Sequence, residues 1–292
     1  HKWFIKDKYD IEVSYLEGPS ARIISGCPNK ETKLVSWIHC TMHSIEDISK
    51  PFRSITESKK CYNRFHSMVY VSEACKKAFH KVCHTKGQQV VLYNTNDSKL
   101  IQSAMKEKIN DFSVKQQEFV WCGIGKLIPV KAIDRMLRIQ EKLISNGKKA
   151  HLLILGDGPL KKELEKWCKV HKIESSVTFL GYQKNPYKYM TKCNLFVCSS
   201  LSEGFSTAAT EALIVGIPVC TVDVSGMREL LGDDNEYGVI VNNDEESLFN
   251  AIQSLIENKN QLEHYKQKAL ERGRDFTIEN TVKAVETFLM RV

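Results

Sequence analysis

The stretch from Asn194 to Val222 constrains this chain most. Asn194 to Cys198 is an apolar run of strand length, Val219 to Val222 is a second, and one short helical pattern separates them. A buried strand that returns to the same sheet through a helix must re-enter in parallel, so this order predicts a βαβ unit of an α/β fold. The connection is punctuated at both ends. Ser199 to Ser206 supplies loop chemistry around Gly204, where the turn is expected to use glycine's dihedral freedom, and Ser206 is the expected N-cap. Thr207 through Val215 then give about two helical turns, closed by Gly216 and Pro218.

In a unit of this kind the helix N-terminus aims unpaired amides at the carboxyl edge of the sheet, where a phosphate binds through those amides and the helix dipole. Ala208 and Ala209 are small enough for a diphosphate to approach the backbone. Glu211 follows Thr207 by four residues and shares its helical face, where a carboxylate can accept from the two hydroxyls of a ribose. Glu203, eight positions before Glu211, could do the same for a sugar ring. The ordinary alternative is that both glutamates are solvated surface residues.

The run from Cys193 to Cys220 resembles the Glu-x7-Glu signature of the retaining glycosyltransferases of family 4, on Glu203 and Glu211. The resemblance extends over residues 114–257 and more loosely to both ends. Phe119 to Ala132 is similar to the family segment in which a basic residue follows a strand-ending glycine and a lysine comes soon after, which are Gly125, Lys126 and Lys131 here. Leu152 to Leu160 resembles the next strand and turn, and Val177 to Tyr187 the base-contacting loop, with Gly181 and Tyr182 toward the base. Leu34 to His43 looks like the strand that ends in a histidine facing the donor sugar, a place taken by His39. The family commonly carries arginine where Lys126 stands, so the bidentate fork is lost while the charge is kept.

What the resemblance implies is a GT-B fold: two facing Rossmann-like domains with a cleft between them. The expected division is 1–113 for an acceptor-side domain, 114–274 for a nucleotide-sugar domain, and 275–292 for a terminal helix crossing back to the first. The opening strand, Gly-rich loop and helix of the family are not visible, and the chain starts at His1. The first domain is therefore expected to be incomplete, lacking roughly half its usual length.

The implied activity is transfer of a hexose or N-acetylhexosamine from a nucleoside diphosphate, expected to be UDP, to a glycan or lipid-linked acceptor, with retention, as in bacterial polysaccharide synthesis. Lys126, Lys131 and the amides at Ser206 and Thr207 would stabilise the departing diphosphate in place of a metal, so no cofactor is expected. Glu203 and the Gly204 to Phe205 backbone would orient the sugar, with His39 nearby, and Glu211 would hold the ribose. An epimerase or phosphorylase on the same fold, or a catalytically silent remnant that binds nucleotide-sugars, are the alternatives.

Other classes fit less well. Gly123-Ile-Gly125 and Gly156-Asp-Gly158 start like dinucleotide fingerprints but lack the third glycine, and Asp157 reads instead as an N-cap to a helix at Pro159. Cys40 with His43, and His80 with Cys83 and His84, are short Cys/His groupings without the repeated pairs of a zinc site. Of the ten cysteines, Cys122, Cys198 and Cys220 sit in apolar runs and read as reduced core thiols of a cytosolic protein. At 292 residues and 42% hydrophobic, the chain can bury two α/β cores, and its longest apolar run, Ala212 to Val222, is too short to span a bilayer.

In the first part, strands are expected at Ile11 to Tyr15, Leu34 to Ile38, Met68 to Val71 and Val90 to Tyr93, and helices near Glu73 to His84 and Lys99 to Lys108. A final amphipathic helix is expected over Ile278 to Leu289. Asn94 and Asp97 read as turn formers. Residues 50–86 hold nine Lys/Arg and two Asp/Glu, an excess equal to the +7 net charge of the whole chain. With Phe52, Tyr62, Phe65 and Phe79 interleaved, that stretch is expected either to meet anionic lipid on the inner membrane face or to be a solvated surface. Nucleic acid is not expected, since no reading module accompanies the patch.

Overall fold

A computed structural model describes residues 1–109 and 118–292. Among the described residues ten strands run in chain order: β1 (Ile11–Ser14), β2 (Lys33–Ile38), β3 (Ser67–Tyr70), β4 (Gln88–Val91), β5 (Phe119–Ile124), β6 (Ala150–Leu155), β7 (Val177–Gly181), β8 (Leu195–Cys198), β9 (Val219–Val222) and β10 (Val239–Val241). The helices are α1 (Pro19–Ile24), α2 (Ile45–Ser49), α3 (Ile55–Tyr62), α4 (Glu73–Val82), α5 (Ser98–Ala104), α6 (Ile133–Ser145), α7 (Lys161–Val170), α8 (Tyr187–Met190), α9 (Thr207–Val215), α10 (Met227–Leu231), α11 (Glu245–Glu257), α12 (Lys259–Gly273) and α13 (Ile278–Leu289). They form two compact units. One holds His1–Asn94, Glu203–Phe205 and Glu279–Val292, and the other Thr95–Ser202 and Ser206–Ile278.

The first unit is built on a four-stranded parallel sheet in the order β1-β2-β3-β4. Its core is aromatic. Tyr62 meets Phe52 at 5.6 Å and Phe79 at 5.3 Å between ring centroids, and Phe79 meets Tyr70 at 5.7 Å. The aromatic residues expected to interleave with the basic stretch are therefore interior: Phe52, Tyr62, Phe65 and Phe79 are all buried. They anchor α3 and α4 to the sheet, while lysines of that stretch such as Lys59, Lys60, Lys77, Lys81 and Lys86 reach solvent. The chain end Glu279–Val292, most of it the terminal helix, belongs to this unit, where Phe288 meets Trp37 edge-on at 6.1 Å.

In the second unit six parallel strands take the order β10-β9-β8-β5-β6-β7. The chain moves outward from β5 to β6 and β7, then returns to place β8 on the other side of β5. That reversal is the switch point at which open α/β sheets leave a crevice at the carboxyl ends of their strands. Helix α6 shows why such elements form here: Ile133, Met136, Leu137 and Leu143 recur at helical spacing and are buried. Its one deeply buried polar residue, Gln140, accepts from Trp121 Nε1 at 2.8 Å and donates to the Ala150 carbonyl at 2.8 Å, so its polar atoms remain satisfied.

Helix α5 packs against α8 and α9 of this unit although it precedes the expected boundary near 113/114, which lies outside the described residues. Asp97 is its N-cap, accepting from the Leu100 amide at 2.9 Å. Among the described residues, no helix is long and apolar enough to cross a membrane.

Candidate functional site

The carboxyl ends of β5, β6 and β7 open into a cavity of about 600 Å³ in the second unit. Its walls include Gly125 and Lys126 after β5, Gly156 and Asp157 after β6, Tyr182 and Lys184 after β7, and Glu211 from α9. Main-chain bonds tie these loops together. The Gly125 amide donates to Leu155 at 3.0 Å, the Gly156 amide to Gly181 at 2.8 Å, and the Leu127 amide to Asp157 at 2.9 Å. A Cβ on Gly156 would collide with the Gly125 carbonyl, so the two strand ends approach as closely as they do only with glycine there.

Glu211 lies on the half-buried face of α9 and accepts from the Tyr187 hydroxyl at 3.0 Å. Burial lifts its carboxyl above the ordinary glutamate range, and the tyrosine bond partly opposes that. Tyr187 is raised in turn by burial and by the neighbouring carboxylate. Lys126 is exposed at the cavity, whereas Lys131 is half-buried in the turn Pro129–Lys131, its aliphatic stem lying along Gly125. The loop after β8 is laced to that turn: Ser199 Oγ donates to the carbonyls of Lys131 and Ala132, both at 3.0 Å. Gly181 takes a left-handed conformation, φ 67°, at the end of β7, and Tyr182 beyond it is 78% exposed.

At the start of α9, Ser206 is the N-cap, its Oγ accepting from the Ala209 amide at 3.3 Å and its carbonyl from Thr210 at 3.0 Å. Among the described residues, the amides of Thr207 and Ala208 find no protein acceptor. Gly216 ends the helix at φ 85° with its amide shared between Ala212 and Leu213.

Glu203, Gly204 and Phe205 pack within the first unit. Thr41 Oγ1 donates to the Glu203 carbonyl at 2.8 Å, Ser72 Oγ to the Gly204 carbonyl at 3.1 Å, and Phe205 stacks on Tyr93 at 5.0 Å. Gly204 was expected to supply unusual dihedrals, but its φ is not positive. What it supplies is room, because a Cβ would run into the carbonyl oxygen of His39. His39 directly follows β2, its amide held by Glu17 at 3.0 Å and its ring 4.9 Å from Tyr15. Burial depresses its pKa, against Glu17 and the Tyr15 backbone, and its buried Nε2 has no partner among the described residues.

One further expectation is corrected. Asp157 does not cap a helix at Pro159; helix α7 begins at Lys161, and the Asp157 carboxylate accepts from the adjacent Gly158 amide at 2.7 Å on the cavity wall. The Cys/His groupings do not converge among the described residues either. His80 instead bonds Gln89 at 3.0 Å, and the one set of three close candidate ligands is His1, Glu12 and Cys27, already joined to one another by a 2.6 Å His1–Glu12 and a 3.5 Å Cys27–Glu12 contact. Within Val177 to Tyr187, read from the sequence as a base-contacting loop, only Gly181 and Tyr182 are singled out, whereas Lys184 and Tyr187 also line the cavity. Asn185-Pro186 is the local signal, since Asn185 Oδ1 accepts from the Tyr187 amide at 3.1 Å and starts α8 there.

The chain is similar to known glycosyltransferases. A Campylobacter jejuni N-acetylgalactosamine-N,N'-diacetylbacillosaminyl-diphospho-undecaprenol 4-alpha-N-acetylgalactosaminyltransferase is 36% identical over 64% of this chain and 49% of its own length. The Staphylococcus aureus poly(ribitol-phosphate) alpha-N-acetylglucosaminyltransferase is 24% identical over 82% of this chain and 46% of its own. The chain thus spans about half the length of the curated relatives it matches. Anabaena HepE, crystallised with UDP, superposes with a TM-score of 0.82 at 19% identity, over 97% of this chain and 79% of its own, and so shares the α/β fold of two Rossmann-like domains known as GT-B. The family of glycosyl transferases group 1 matches residues 105–272, which take in β5 to β10 and the whole cavity. With more than half of its residues matched, on that fold, the chain belongs to the glycosyl transferases group 1 family.

Proposed function

We propose that the chain transfers a hexose or N-acetylhexosamine, with retention, from a nucleoside diphosphate, UDP in the first instance, to a hydroxyl of a glycan or lipid-linked acceptor. The observation that carries this reading is the cavity of about 600 Å³ with Glu211 in its wall and Lys126 at its edge. That volume suits a nucleotide. Glu211 accepts from the ribose, the Gly181 to Gln183 segment meets the base, and the diphosphate lies toward Lys126, Lys131 and the amides of Thr207 and Ala208. Cleaving the sugar builds negative charge on the leaving phosphates, and fixed cations and amides stabilise it without a metal. Glu203, the Gly204 to Phe205 backbone and His39 are the residues this reading assigns to the sugar ring. The acceptor proton passes to the leaving phosphate.

Relatives named for transfer of N-acetylgalactosamine and N-acetylglucosamine, one of them on a diphospho-undecaprenol substrate, support the sugar and acceptor classes. The exposed lysines of α3 and α4 suit an anionic membrane surface, at about 1 kcal/mol per residue near it. Since the aromatic residues between them are buried, that attachment is electrostatic, and salt should release the chain from phosphatidylglycerol vesicles. The central experiment is a thermal-shift panel of nucleoside diphosphates and their sugars, followed by assay of free UDP with and without acceptor. Stabilisation by UDP and its sugars, and acceptor-dependent UDP release, are expected. No shift with any nucleotide would overturn the reading, and binding without turnover would favour a donor-binding protein.

A further inference from the structure

We propose that Tyr187 is a positioning residue for Glu211, and that through this bond it sets how strongly the cavity prefers a ribonucleotide over one lacking ribose hydroxyls. The inference rests on the reading of the cavity as a nucleoside-diphosphate site. Tyr187 and Glu211 line the same cavity, and the tyrosine hydroxyl donates to Glu211 Oε1 at 3.0 Å. Among the described residues Glu211 has no other hydrogen-bond or ion-pair partner. An ionised carboxylate offers about four lone-pair sites, so one bond leaves this half-buried group far from satisfied. A vicinal diol supplies two donors at the spacing of the two carboxylate oxygens. Anchoring Oε1 fixes the rotation of the carboxyl plane and turns Oε2 to the cavity.

The anchor is itself held. Asn185 Oδ1 accepts from the amides of Tyr187 at 3.1 Å and Lys188 at 3.4 Å, and its Nδ2 donates to the Ala104 carbonyl at the end of α5 at 2.9 Å. Two elements distant in sequence thereby set where the tyrosine hydroxyl stands. The bond also counters the burial that lifts the Glu211 carboxyl, which keeps it a better acceptor near neutral pH.

The test compares UDP with 2′,3′-dideoxy-UDP by calorimetry on the wild type, Tyr187→Phe and Tyr187→His. For the wild type, UDP should bind far more tightly than the dideoxy nucleotide. In Tyr187→Phe, UDP should weaken about tenfold, as expected when a hydrogen bond to a charged group is lost, while the dideoxy affinity stays the same and the ratio narrows. Tyr187→His restores a donor and should recover part of the ratio. Equal weakening of both nucleotides in Tyr187→Phe would make Tyr187 a packing residue and overturn the proposal, as would no change in either. If Tyr187→Phe does not fold, the ratio in Tyr187→His decides: near the wild type supports the bond, collapsed refutes it. Failure of the wild type to bind UDP, or equal binding by Glu211→Ala, sinks the underlying reading instead.

Discussion

Gly204 passes so close to His39 that a Cβ on the glycine would overlap the histidine's carbonyl oxygen. Both are backbone groups, and the loop is pinned on either side by Thr41 on Glu203 at 2.8 Å and Ser72 on Gly204 at 3.1 Å. A methyl group there cannot be accommodated by a side-chain rotation. Gly204→Ala should cost ~1–3 kcal/mol, the usual range for overpacking. Because φ is not positive, the loss comes from crowding and not from backbone strain, so Gly204→Ser should be at least as damaging. Denaturant titration of both variants measures this. Wild-type stability in Gly204→Ala would show that the loop withdraws freely from His39.

Ser206 divides the amides at the start of α9 into those the protein caps and those it leaves open. Its Oγ holds Ala209, whereas Thr207 and Ala208 have no acceptor among the described residues. Ser206→Ala should cost ~1 kcal/mol of stability, and Ser206→Gly only a few tenths. The measurable point is the ranking, glycine above alanine, which a packing role would reverse. UDP should narrow the gap between the variants and the wild type, since loss of the Ser206 hydroxyl frees the Ala209 amide as a further donor and the variants then bind a diphosphate more tightly.

Glu211 carries a stability signature independent of any ligand. Its carboxyl is raised by burial, so the folded state binds a proton more readily than the unfolded chain. Stability then falls as pH rises from the ordinary glutamate value of 4.5 through the raised value, since the native state holds more protons in that window. Glu211→Gln removes this slope. The stability of the variant minus that of the wild type should grow across the window and then level off, in melting curves without nucleotide. A difference that is flat in pH would mean the carboxylate is at ease in the fold. For UDP the sign is opposite: Glu211→Ala should lose ~1.5–3 kcal/mol of binding free energy as charged hydrogen bonds to ribose disappear.

The parts of the fold legible in the sequence are those set by neighbours in the chain. The helix Thr207–Val215 and the strand Val219–Val222 have the expected bounds, because Ser206, Gly216 and Pro218 act within one turn of where they stand. The terminal helix Ile278–Leu289 is of the same kind. What could not be read is long-range. Tyr187 and Glu211 are 24 residues apart and meet only because α8 packs on α9. Glu203 to Phe205 leave the unit that contains their neighbours in sequence, held by Thr41, Ser72 and Tyr93 from more than a hundred residues away. Phe52, Tyr62, Phe65 and Phe79 lie among lysines without a clean helical or strand period, and only the sheet shows that all four point inward.

Lys126 and Lys131 should be separable by their surroundings. Lys126 is exposed at the cavity, in high dielectric, where salt screens it; Lys131 is half-buried, with its stem along Gly125, where a charge acts more strongly over the same distance. If both stabilise the departing diphosphate, Lys131→Met should lower kcat by ~10²-fold, the scale of one lost oxyanion donor. Lys126→Met should lose less, and its deficit relative to the wild type should shrink at high salt because the lost interaction was already screened. Lys126→Arg adds a bidentate fork and should lower KM for the donor. The measurement is steady-state turnover of a UDP-sugar at low and high ionic strength for the three variants. Turnover at the wild-type rate in Lys131→Met would remove that lysine from the chemistry and leave the amides of α9 as the principal stabiliser of the leaving group.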